Sequence, residues 1–417
     1  MRISAFTLGL LLFPLIVKAQ SAATLPPFES PPVLDARDIL RPEFLGSPLF
    51  SVRTAVPTKE GLNRYTLDSA FGVMTADGNA ALIQRIADIQ AIAKLQEVSR
   101  SDAYRKALAR AAKSPLDVAG SAIKHPVDTV GGVGKGLWKM VNGAGQMVKE
   151  AGQGRKTSPH EDSVAEDAIG FGAAKRRIAL GLGVDPYSSN EQLQSDLKKV
   201  AWAAYGGQMT FTGALLPLGG VAGIVVKSVQ SSGLTLSALR DLSPVDLRLR
   251  NLKILLAMGI DRNLANSFFN NPALSPTTQT IIVDCLDQLR GVPGRDKYLR
   301  LAAASDDASD ALRYQESAQL LVLIHQSRPL DLLSAYHGLP LALTRDDVLI
   351  APLVWDYAAW TPGAKHFLEN LRSGRVGDRR PKAIHIYLSG VASPSARAAA
   401  AASQVGLTER ALPGPLR

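Results

Sequence analysis

The uncharged stretch WAAYGGQMTFTGALLPLGGVAGIVV, residues 202–226, limits this chain more than any other feature. A helix needs about 20 apolar residues to cross the hydrocarbon core of a bilayer, so a run of this length must either enter a membrane or be hidden in a sizeable core. Pro217, Gly219 and Gly220 interrupt it near the middle, and Gln208, Thr210 and Thr212 dilute its hydrophobicity. Each breaker frees backbone polar groups that lipid cannot satisfy, which favours a buried helical hairpin over a transmembrane or re-entrant segment.

The rest of the composition agrees with a core of that size. Of 417 residues, 46% are hydrophobic and 20% charged, as in ordinary globular proteins. Cys285 is the single cysteine, so no intrachain disulfide forms and burial has to carry the stability. At the N-terminus Arg2 precedes an apolar run from Ile3 to Val17, followed by Val17-Lys18-Ala19 with small residues where a signal peptidase reads them. Residues 1–19 therefore read as a cleaved signal peptide, with Gln20 opening the mature chain. The run, about 15 residues with Pro14 inside, is short for an anchor. A lipid anchor would need a cysteine at the cleavage point. The expected location is periplasmic or extracellular, with membrane association open. Net charge is +10, and +8 once Arg2 and Lys18 are removed. That excess suits anionic lipid surfaces or envelope polyanions, while an exported location excludes nucleic acid.

The pattern along the chain predicts a mainly α fold with small β elements (α+β). Residues 20–48, rich in Pro, Ser and Ala, read as an extended linker. Residues 49–117 read as a ββα unit: Phe50, Val52 and Val56, then Tyr65, Leu67, Phe71 and Val73, alternate in a hairpin around PTKEGLN, and a helix runs from Leu82 towards Leu108. A Gly-rich amphipathic segment follows at 118–158. Residues 159–340 read as a helical domain that includes the 202–226 hairpin, with Asn190 as a helix cap and Pro-containing breaks between later helices. A small α/β part at 341–408 contains VLIAPLV and AIHIYLS, with Ser393-Pro394 starting a helix. Residues 409–417 read as a disordered tail.

The glycines of TVGGVGKGLWKMVNGAGQMVKEAGQGRK, residues 129–156, do not make a phosphate loop. Gly136 follows Gly134-Lys135 where a Ser or Thr is needed, and Thr129 stands where the earlier glycine belongs. Wound as a helix, the segment puts Val133, Leu137, Met140, Ala144, Val148 and Ala151 on one side, and Lys135, Lys139 and Lys149 on the other. Glycine costs about 0.8–1.0 kcal/mol against alanine, so this helix depends on what it touches. Lys135, Leu137, Trp138, Lys139, Val148 and Lys149 are the expected contacts with an anionic membrane surface or an envelope protein partner. The glycine faces offer a route to oligomers.

Catalytic signatures are sparse. Ser121-Ala-Ile-Lys124 and Ser195-Asp-Leu-Lys198 match a Ser-x-x-Lys pair, but no Ser-x-Asn and Lys-Thr-Gly follow in order, and no Gly-x-Ser-x-Gly occurs. The histidines include no pair at metal-ligand spacing, so neither a metal nor a cofactor is expected. His337, Asp356 and His385 are the candidate catalytic groups if the chain is a cell-wall-directed periplasmic enzyme. Arg372, Arg375, Arg379 and Arg380 form a candidate anion patch. Trp355-Asp356-Tyr357 and Trp360 read as core packing with a polar rim. The leading expectation is a non-enzymatic exported envelope protein that associates with a membrane surface or a protein partner. Such an enzyme, or a pore-forming protein using both glycine-rich stretches, stands as the alternative.

Overall fold

The computed structural model describes residues 25–113, 170–207, 233–376 and 378–417. The residues expected to form a signal peptide (1–19) and a Gly-rich amphipathic segment (118–158), and residues 208–226, lie outside the described residues. Helices make up 52% and strands 21%, a mixed α/β fold, which corrects the expectation of a mainly α chain. The difference comes from two substantial sheets, one of 6 strands and one of 5. Several of their strands lie in segments whose local pattern resembles linker or helix.

The first sheet begins inside the expected linker. Strand β1 (Val33–Asp35) is followed by two short helices, α1 (Ala36–Ile39) and α2 (Pro42–Leu45), which with the residues around them bury Ala36, Leu40 and Phe44. Then come β2 (Gly46–Ser47), β3 (Phe50–Val52), β4 (Ala55–Lys59), β5 (Leu62–Ser69) and β6 (Gly72–Asp77). β3 and β4 form one bent edge along β5, joined to it by the tight turn Glu60-Gly61, where both residues have positive φ (53° and 83°). The sheet curls into an antiparallel half-barrel. The predicted second strand stops short, because Ser69 Oγ accepts from Phe71 N at 3.1 Å, donates to the Gly72 carbonyl at 2.7 Å and reverses the chain. Val73 then belongs to the next strand and is exposed rather than inward.

Helix α3 (Asn79–Ser99) covers this sheet and is buried nearly all round, through Leu82, Ile86, Ile89, Ile92 and Leu95. Its outer side is covered by α5 (Phe171–Gly181) and α6 (Glu191–Gly207), which complete the first core. The expected continuation to Leu108 breaks at Arg100-Ser101. Ser101 Oγ there accepts from Tyr104 N at 3.1 Å and caps α4 (Asp102–Lys113).

Six helices follow: α7 (Gly233–Asp241), α8 (Pro244–Ala257), α9 (Arg262–Asn270), α10 (Pro276–Gln288), α11 (Arg295–Ala303) and α12 (Ala308–Ser327). α7 packs against α5 and α10, and the other five share a core on one face of the second sheet, made of β7 (Leu330–Tyr336), β8 (Leu339–Thr344), β9 (Val348–Leu353), β11 (Ala383–Leu388) and β13 (Gly406–Thr408) in the order β13-β11-β9-β8-β7. Between its strands lie the short parallel pair β10 (Tyr357–Ala358) and β12 (Val391–Ala392) and the helices α13 (Pro362–Ser373) and α14 (Pro394–Ala402). In β9, Val348 and Ile350 face the helical body while Leu349, Ala351 and Leu353 face α13 and α14, so both faces are covered and the strand reads as unbroken apolar sequence. Strand β7 lies before residue 340 yet shares this sheet, so the expected helical domain and α/β part form one helix-sheet-helix stack.

The residues near 26–29 and the C-terminal residues 409–417 are both tied in. Residues 409–417, expected to be disordered, run back to the half-barrel: Arg41 N donates to the Pro415 carbonyl, and Arg417 N to that of Ile39, each at 2.9 Å. Arg417 Nε also reaches the Leu40 carbonyl at 2.7 Å. The orphan carbonyls at the end of α1 are thus satisfied by the tail. In the opposite direction Glu29 N donates to the Trp360 carbonyl, and Trp360 Nε1 donates to that of Pro26 at 3.1 Å.

Candidate functional site

Asp356 sits just past the C-terminal end of β9, where ligands of parallel sheets are commonly held. Here, however, the carboxylate turns towards the half-barrel. Its Oδ2 accepts from Asn63 N at 2.9 Å, and Asn79 N, the first amide of α3, lies 3.2 and 3.1 Å from its two oxygens. A polar chain continues behind it: Tyr65 OH donates to Asn79 Oδ1 at 2.6 Å and accepts from Asn63 Nδ2 at 3.0 Å. Burial pushes the Asp356 carboxyl up to about 7, against the pull of the two amides. Glu316 of α12, partly exposed but densely surrounded, is pushed up to about 8, first by burial and then by the charge on Asp356. Tyr65 is raised by burial and by the same charge. The loop is gripped from both sides. A Cβ at Gly390 would collide with the Asp356 backbone, and one at Gly61 with the Trp355 indole.

The other candidate catalytic groups are placed elsewhere. His337 occupies the exposed turn between β7 and β8 at φ 46°. It lines a shallow cleft of about 230 Å³ with Arg313, Tyr314 and Trp355, but Asp356 does not line that cleft. His385 lies inside β11, its ring stacked on Tyr387 and its Nε2 2.8 Å from Thr408 Oγ1, and burial lowers its pKa. Among the described residues no hydrogen bond joins any two of His337, Asp356 and His385. In the arginine cluster, Arg379 is held by Asp331 and Asp347, and Arg375 by the Asp378 carbonyl, while Arg372 and Arg380 are exposed. Lys135, Leu137, Trp138, Lys139, Val148 and Lys149 lie outside the described residues. Among the described residues no three His, Cys, Asp or Glu side chains gather as a metal group.

Another concavity among the described residues is lined by groups that sequence reading did not single out. A cavity of about 250 Å³ opens between α3, the end of α5 with its following loop, α7, the start of α10 and α12. Leu180, Val184, Leu236, Leu239, Ala273 and Leu312 give it an apolar wall. Opposite stand Arg85 and Asp88, one helical turn apart on α3. Asp88 is 2% exposed, and its Oδ2 accepts from Arg85 Nη1 and Ser188 Oγ, both at 3.0 Å. Burial pushes this carboxyl up to about 6, the Arg85 charge opposing. Arg85 is also held by Ser189 Oγ at 3.0 Å. Asp185 takes Thr277 Oγ1 at 2.6 Å. Gln315 of α12, 7% exposed, lines the cavity with its amide hydrogen-bonded to no described residue.

The signal that could have pointed here was Asp88 itself, a carboxylate set among apolar residues of a long helix. Comparison with protein-family models, with curated proteins and with solved structures gave no match, so what the site can do rests on its own geometry.

Proposed function

We propose that this chain is a non-catalytic, exported binding protein of the cell envelope, holding a small ligand in the cavity between α3, α7 and α12. The observation that carries this reading is the cavity's construction. It has a mainly apolar wall with a few convergent polar groups, Arg85, Asp88 and Gln315, which is the usual make-up of a ligand pocket. The signal-like residues 1–19 support export. Thermal-shift screening of the purified mature chain against small polar and amphiphilic compounds tests the proposal. A stabilising compound whose effect disappears in Leu236→Trp, which fills the cavity, supports it. A screen without hits, or hits insensitive to that change, overturns it. Intact mass showing residues 1–19 retained after expression in a secreting host would overturn the export component.

A second reading, association with a membrane surface, is supported by Trp202 and Tyr205. These aromatic side chains are 40% and 41% exposed at the end of α6, where the chain enters the uncharged stretch. Such rings favour the interface between headgroups and hydrocarbon. Flotation with anionic vesicles, reduced by Trp202→Ala together with Tyr205→Ala, would support this reading, and no flotation at low salt would remove it.

A further inference from the structure

Resting on the reading of the cavity as a ligand site, we infer that its ligand is a small ammonium compound with a compact apolar body. The ammonium group would lie on Asp88 and the body against Leu236, Leu239 and Leu312. Three features select that chemistry. Asp88 keeps Oδ1 without a hydrogen-bond partner among the described residues, since both of its bonds go to Oδ2, so a donor on the ligand has a buried acceptor to meet. Among the described residues the charged groups lining the cavity are Asp88, Asp185 and Arg85, and the one cation of these three is already held by Asp88 and Ser189. An anionic ligand would therefore meet two carboxylates and a committed guanidinium, whereas a cation is favoured. The Gln315 amide, buried on the facing helix, offers a carbonyl to a second N–H of the same ammonium group.

Size narrows the class further. At about 30 Å³ for each water-sized group, 250 Å³ accommodates about eight non-hydrogen atoms, so a short alkylamine or cycloalkylamine fits within it.

Calorimetric titration of the full mature chain with hexylamine, hexan-1-ol and hexanoate at neutral pH tests the inference. Hexylammonium should bind at least about tenfold more tightly than the alcohol, the difference expected for a buried charge-assisted hydrogen bond. Hexanoate should bind weakest. Asp88→Asn should remove the amine's advantage while leaving the alcohol's affinity in place, and Gln315→Leu should reduce it if Asp88→Asn does not fold. Alcohol binding equal to or tighter than amine binding overturns the ammonium assignment but leaves the binding-protein reading standing. Failure of all three probes to bind at millimolar concentration overturns both.

Discussion

At Gly390 the polypeptide passes so close to Asp356 that a single methyl group has no place to go. The backbone on the other side is pinned as well, with Gly390 N donating to the Trp355 carbonyl and Val391 N to that of Asp356. Gly390→Ala should therefore lower unfolding stability by about 2–3 kcal/mol, measured as a shift in urea midpoint at unchanged slope. The carboxyls nearby make stability depend on pH. Asp356 and Glu316 keep their protons in the folded chain until about 7 and about 8. Unfolded carboxyls lose theirs near pH 4, so between these limits the folded state binds more protons and stability falls as pH rises. Asp88, raised to about 6, adds to the lower part of that window. Exposed ion-paired groups such as Asp346, lowered to about 2, act only below it. Urea midpoints should drop between about pH 4.5 and about pH 8, and Glu316→Gln should flatten the upper part of the fall. A midpoint independent of pH across that range would contradict the assignment.

Among the elements, a helix start is a local device, and Ser393-Pro394 was read as one from the sequence; three more of the same kind stand in segments read only as breaks or not singled out. Ser243-Pro244, Ser275-Pro276, Thr361-Pro362 and Ser393-Pro394 each place a hydroxyl on the third following amide and a proline at the first helical position. Ser275→Ala should cost about 1 kcal/mol and Ser275→Asn much less, measured by denaturant unfolding. Strands β9 and β11 were legible too, as short apolar runs ending in turn signals. β1 and β7 were not. β1 is defined by its partner β4, some twenty residues on, within a segment whose Pro and Ser content describes a linker. β7 follows α12 directly and carries the leucine spacing of another helical turn; its register with β8 makes it a strand. The site shows the same division. Asp356 was legible because it stands between aromatic residues. Asp88 and Gln315 acquire a role only once Ser188, a hundred positions from Asp88, and α12 are brought beside them.

At the scale of the molecule, segments far apart in the chain meet at each functional candidate. The cavity needs α3, α7 and α12 together, and Asp356 joins the second sheet to the amides of the first unit. Separating the halves should therefore abolish ligand binding: residues 20–207 and 233–417, expressed apart, should each show broad, non-cooperative melting, whereas mixing them should recover part of the signal. Two sharp independent transitions would show instead that the halves are autonomous. The tail that closes on α1 adds a constraint of timing. Because the carbonyls of Ile39 and Leu40 wait for Arg417, the half-barrel that leaves the ribosome first is completed by residues made after it. Until those residues are made the carbonyls of Ile39 and Leu40 lack these partners, so the unit made first reaches its finished hydrogen bonding only after the second sheet has been synthesised.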